Sequence, residues 1–117
     1  MLNKLDYYDS SIILRKSDVN LKDLSALTAK TGDEFAIFTR GSQRLIIRGN
    51  STGVNIGEAR AKDLFLAGYK WSGHTHPGTG FNVKMASDGD LYILNIFDQS
   101  QSAIYDSNGL FNIFGGN

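Results

Sequence analysis

Tyr69-Lys70-Trp71-Ser72-Gly73-His74-Thr75-His76-Pro77 reads as a strand that stops at the only proline of the 117-residue chain. Proline has no N–H for a sheet ladder and drives the residue before it toward an extended conformation, so Pro77 closes a strand over residues 69–76. Upstream, residues 56–67 have helical spacing, with Gly68 as a natural stop. Downstream, a Gly-rich loop over residues 78–86 leads to a helix that starts at Ser87 and carries Leu91, Leu94 and Phe97 on one face. A strand set between two amphipathic helices belongs to a sheet that helices cover.

The flanks extend this pattern. Residues 11–15 read as a short strand within an N-terminal segment (1–16) that is otherwise strand or linker. Leu21, Leu24 and Leu27 recur at helical spacing, with Asn20 as N-cap and Gly32 just past the end, so a helix is expected over residues 21–30. Residues 34–40 and 44–48 form a hairpin about Gly41-Ser42, and residues 102–105 and 110–114 form a second about Asn108-Gly109. The last three residues, 115–117, are expected to fray. The predicted order is β-α-β-β-α-β-α-β-β. The expected architecture is therefore one α/β domain over residues 1–117, a single mixed sheet flanked by about three helices.

Composition narrows the function. Twelve basic residues balance twelve acidic ones, which argues against a protein held on nucleic acid by phosphate neutralisation and against a polybasic membrane anchor. The chain has no cysteine, so thiolate metal sites, disulfides and a cysteine nucleophile are excluded. No apolar run reaches the length of a membrane span, and the first ten residues lack the apolar core of a secretory signal. A cytoplasmic protein, or a piece of a longer secreted one, is expected.

The two histidines, His74 and His76, are the only ones in the chain. Strand side chains two residues apart share a face, so the imidazoles project together and form a ready pair of zinc ligands. Two polar residues that merely hydrogen-bond at a strand end would also fit. By the same alternation Thr75, Trp71 and Tyr69 fall on the opposite face. Ser87-Asp88-Gly89-Asp90 has the spacing of a capping box, which needs no chemistry. The same geometry lets Asp90 reach out from a rigid helix start as a third ligand. Two histidines and one carboxylate leave the fourth tetrahedral position open, as catalytic zinc sites do. A hydrolytic site also needs a base. Of the only two glutamates, Glu58 lies inside an amphipathic helix where an exposed acid is expected, whereas Glu34 opens a strand directly after a helix stop. A solvated strand-end charge is the simpler account of Glu34.

Taken in order, Glu34, then His74-Thr75-His76-Pro77, then Ser87-x-x-Asp90 resemble the Glu…His-x-His-Pro…Ser-x-x-Asp signature of the JAMM (MPN-plus, JAB-type) zinc metalloproteases. The resemblance spans roughly residues 21–114. It implies a JAB/MPN-like, cytidine-deaminase-like sandwich with a curved mixed sheet and Zn2+ held by His74, His76 and Asp90. It also implies hydrolysis of a peptide or isopeptide bond, with Glu34 as general acid/base and Ser87 stabilising the oxyanion. Residues 68–94 are most similar to the compact JAB domains at the ends of bacterial polymorphic toxins and secreted effectors. Three roles follow from that: a peptidase, a toxin or toxin-releasing domain, and a non-catalytic binding module that keeps the fold. The expected partner is a peptide or protein substrate, with neither nucleic acid nor membrane.

Two further patterns carry expectations. Phe81, Val83 and Met85 alternate in the loop after the histidines; either they lie extended beside the metal and pair with a substrate strand, or they tuck onto the core. Arg40, Arg44 and Arg48 recur evenly, as a solvated strand face or as a basic patch for an acidic partner.

Overall fold

Leu45-Ile46-Ile47 alternates between two cores, and this places the sheet at the centre of the molecule: Leu45 and Ile47 pack on one face, Ile46 on the other. A computed structural model describes residues 4–80 and 82–115 of the chain. Its strands are β1 (Ser11–Arg15), β2 (Phe35–Arg40), β3 (Gln43–Arg48), β4 (Lys70–Thr75), β5 (Gln101–Tyr105) and β6 (Phe111–Gly115). The helices are α1 (Leu21–Thr31), α2 (Glu58–Leu66) and α3 (Asp88–Ile96), with short 3-10 turns at Lys16–Asp18 and Asn82–Lys84. The expected order of elements and the α/β class are both observed. Gly115 ends β6, so the predicted fraying does not begin there; Gly116 and Asn117 lie outside the described residues.

The six strands form one mixed sheet in the order β1-β3-β2-β4-β5-β6. Only β4 and β5 pair in parallel; every other neighbouring pair is antiparallel. The helix α1 covers one face, where Leu24 packs with Phe35, Ile37 and Ile46. The helices α2 and α3 cover the other, where Ala61 and Leu94 pack with Phe38, Ile47, Trp71 and Ile104. No helix among the described residues is long and apolar enough to cross a membrane.

Helix ends follow local chemistry. Asn20 caps α1 in a reciprocal capping box with Asp23, and Gly32 ends it at φ +76°, a left-handed conformation that suits glycine. Ser87 and Asp90 form the corresponding box on α3.

One irregularity sets up the site. On β2, Ala36 faces His74 and Ile37 faces Gly73, but Phe38 faces Trp71. Ser72 is thus an extra residue on β4, a β-bulge. Ala36 and Phe38 share a face, so the bulge brings Trp71 onto the same face as His74. Simple alternation places Trp71 and Tyr69 opposite the histidines; the inserted residue reverses that expectation, and both join the core on the histidine face.

Candidate metal centre

Glu34, His74, His76, Ser87 and Asp90 come from three separate stretches of chain, and all five line one cavity of about 300 Å3. Its walls are completed by Trp71, Ile93 and the Thr52–Ile56 segment. The cavity lies where β4 ends, β2 begins and α3 starts.

The two imidazoles are fixed by different means. His74 is held by packing: its ring stacks on Trp71 at 4.9 Å between centroids and meets the edge of Phe114 at 5.8 Å. Its Nδ1 is buried with no hydrogen-bond partner among the described residues. His76 is held by a hydrogen bond, with Nδ1 2.6 Å from the Val83 carbonyl oxygen. A carbonyl only accepts, so Nδ1 carries the proton, and the neutral ring turns the bare Nε2 to the cavity. The two Nε2 atoms lie 3.0 Å apart. Two lone pairs at that separation repel, so in the metal-free protein His74 Nε2 carries a proton. A divalent cation bound between the two rings would take that proton's place.

The carboxylates complete the arrangement. Asp90 Oδ1 is 3.2 Å from His74 Nε2 and Oδ2 is 3.6 Å from His76 Nε2. Ser87 N–H donates to Asp90 Oδ2 at 3.0 Å, and Asp90 N–H donates to Ser87 Oγ at 3.0 Å. The capping box therefore aims the carboxylate, and the structural and functional accounts of this motif describe one geometry. Glu34 Oε1 is 3.8 Å from His76 Nε2. Glu34, His74 and His76 offer ligand atoms that all lie within 4.8 Å of one another, a group that could hold a metal ion.

Electrostatics separates the two acids. Burial, aided by the Asp90 charge, pushes the Glu34 carboxyl up to about 8. Burial also acts to raise Asp90, but the hydrogen bond and charge of His74, with the Ser87 amide, hold it below the ordinary aspartate value. Burial and the neighbouring His74 hold the His76 ring below the usual histidine value, which keeps it neutral near pH 7. Acids whose environments push them apart are suited to different tasks.

Glu34 is 8% exposed, so it is not the solvated strand-end charge that was the simpler account of it. The β2–β3 ladder continues past the strand ends to fix its backbone: Glu34 N–H donates to Asn50 O at 2.8 Å, and Gly49 N–H donates to Glu34 O at 2.7 Å. A Cβ on Gly49 would stand 2.0 Å from Gly53 O. Only glycine lets the 50–53 turn fold back and bring Thr52 and Val54 to the cavity wall. Glu58 is exposed and pairs with Lys62 across one helical turn, as expected of a surface acid.

The loop after the histidines is not an extended strand. Asn82–Lys84 is a 3-10 turn, Val83 is half-buried and Met85 is 53% exposed, while Phe81 lies outside the described residues. The three arginines do not act together. Arg48 pairs with Asp33 at 2.8 Å, Arg44 donates to Val19 O, and Arg40 donates to Ala67 O and lies over the Tyr69 ring.

No family model, no curated protein and no solved structure matches the chain. The reading of this site rests on its own geometry and on the motif order.

Proposed function

We propose that the chain is a zinc-dependent hydrolase of peptide or isopeptide bonds, of the JAMM type that its motifs resemble. The observation that carries this is the convergence of His74, His76 and Asp90: the two Nε2 atoms lie 3.0 Å apart, and the Asp90 carboxylate sets Oδ1 3.2 Å from that of His74 and Oδ2 3.6 Å from that of His76. Ligands at about 2.0–2.1 Å around a tetrahedral zinc lie about 3.3 Å from one another. The donor set fits: two neutral nitrogens and one carboxylate are borderline ligands suited to zinc. Glu34 Oε1 also lies close, 3.8 Å from His76 Nε2, and its assignment as base rather than ligand follows the motif order.

When bound, the ion would supply Lewis acidity at the cavity floor. Its positive charge would also bring the Glu34 carboxyl back toward the ionised form. Glu34 then takes the proton of the attacking water and hands it to the leaving nitrogen. Ser87 Oγ accepts the Asp90 amide, which leaves its O–H free to donate to the oxyanion that develops on the substrate carbonyl. Trp71, Val54 and Ile93 form the apolar surround that keeps these groups in a low dielectric.

Metal analysis of the purified protein tests the reading, together with cleavage of a fluorogenic peptide library. About one equivalent of zinc is expected, lost in His76→Ala. Glu34→Gln is expected to keep the zinc and lose cleavage. A wild-type protein that takes up no zinc sinks the proposal.

A further inference from the structure

The hydrogen bond that fixes the Nδ1 side of the His76 ring goes to Val83 O, on a 3-10 turn inside the long loop between β4 and α3. A loop of that length does not by itself hold one carbonyl in place, so something outside it must. The clamp is visible at its C-terminal side. Lys84 Nζ lies 3.2 Å from Asp106 Oδ2, and Asn112 Nδ2 donates to Lys84 O at 3.2 Å. Gly78, at the loop's start, is tied to the same hairpin: Ser107 N–H donates to Gly78 O at 2.8 Å and Gly78 N–H donates to Ser107 Oγ at 2.9 Å.

Asp106 is the fixed point. It has no solvent exposure, and its Oδ1 accepts the Asn108 and Leu110 amides at 2.9 and 3.0 Å. An asparagine would close that β5–β6 turn equally well through the same oxygen. The charge at this position is therefore not required by the hairpin turn itself. Its use lies in what the second oxygen holds, which is the lysine next to Val83.

We infer that the Lys84–Asp106 pair is a positioning device for the metal centre, holding the Val83 carbonyl so that it locks His76 with Nε2 toward the cavity. Lys84, Asp106 and Asn112 do not line the cavity; they act through Val83 on the ring. The inference rests on the zinc reading for its purpose, but the ring geometry it asserts exists in the metal-free protein.

The test therefore has two readouts. Long-range proton–nitrogen NMR of the metal-free, nitrogen-15-labelled protein reports the His76 tautomer, and competition with a chromophoric chelator reports zinc affinity. Wild type is expected to show a single Nδ1–H tautomer at His76. Lys84→Met is expected to populate both tautomers and to weaken zinc binding by about tenfold, with Lys84→Arg restoring both. Should Lys84→Met fail to fold, Asn112→Ala frees only the Lys84 carbonyl and is read by the same two measurements. A Lys84→Met or Asn112→Ala protein that melts lower but keeps one tautomer and wild-type zinc affinity overturns the inference, because the pair is then merely structural. If wild type binds no zinc, the hydrolase reading falls, and the tautomer measurement still decides this one.

Discussion

Thr75 lies between the two imidazoles in sequence and on the other side of the sheet in space. Its Oγ1 accepts the Phe35 amide at 2.9 Å and lies 2.5 Å from Thr28 Oγ1 on α1. One hydroxyl thus ties the histidine strand both to the residue after Glu34 and to the opposite helix. Thr75→Val keeps the shape and removes the hydroxyl, leaving a buried N–H and a buried O–H without their partner. The expected cost is about 1–3 kcal/mol, read as a lower urea midpoint at unchanged slope; an unchanged midpoint refutes this role. Alternation along β4 was enough to assign Thr75 to the far face. Its partners sit 40 and 47 residues away, and nothing in a linear sequence links them to it. The same holds for Lys84 and Asp106, although the Asp-x-Asn-Gly turn was a local sign that Asp106 accepts its own backbone.

Among the elements, α3 has two duties at one residue. Ser87 caps the helix and offers a hydroxyl at the cavity, and the two separate under mutation. Glycine at an N-cap costs only a few tenths of a kcal/mol relative to serine. Ser87→Gly should therefore fold with nearly wild-type stability and retain zinc. Its turnover should fall by about 10²–10³-fold if the hydroxyl stabilises an oxyanion. Equal turnover in the two proteins would reduce Ser87 to a cap. The elements themselves were readable because each agrees with its local signals: Asn20 and Ser87 start helices, Gly32 and Gly68 follow helix ends, and Gly41-Ser42 turns a hairpin. The bulge at Ser72 was not readable. An inserted strand residue looks like any other, yet it decides which face Trp71 joins and thus what stacks on His74. Gly73 beside it is needed for clearance, since a Cβ there would stand 2.9 Å from Ala103 O and 3.0 Å from Leu21. Gly73→Ala is expected to cost about 1–3 kcal/mol through that overlap, measured by the same unfolding experiment.

At the scale of the molecule, the candidate centre joins residues from the start of β2, the end of β4 and the start of α3. A ligand that binds only the assembled site stabilises the fold by mass action, about 4 kcal/mol at a thousand times its Kd. For a chain of this size that is a rise in Tm of at least about 10 °C on adding zinc, reversed by a chelator; a Tm indifferent to both argues against a shared ion. Acid stability reports a different part of the molecule, and is best read in chelator so that metal loss does not contribute. Burial acts to raise the Asp106 carboxyl, but the Asn108 and Leu110 amides and the Lys84 ammonium outweigh it and hold it below the ordinary value. The stabilisation from a depressed acid is fully present above the unfolded pKa of about 3.9, and it is lost as pH falls through the folded value. Asp106→Asn cannot titrate. The variant should melt below wild type at neutral pH, and the two curves should converge as the pH is lowered from 4 toward 2. Curves that stay parallel through that window would mean that the buried carboxylate stabilises nothing through its charge, leaving its hold on Lys84 without an electrostatic basis.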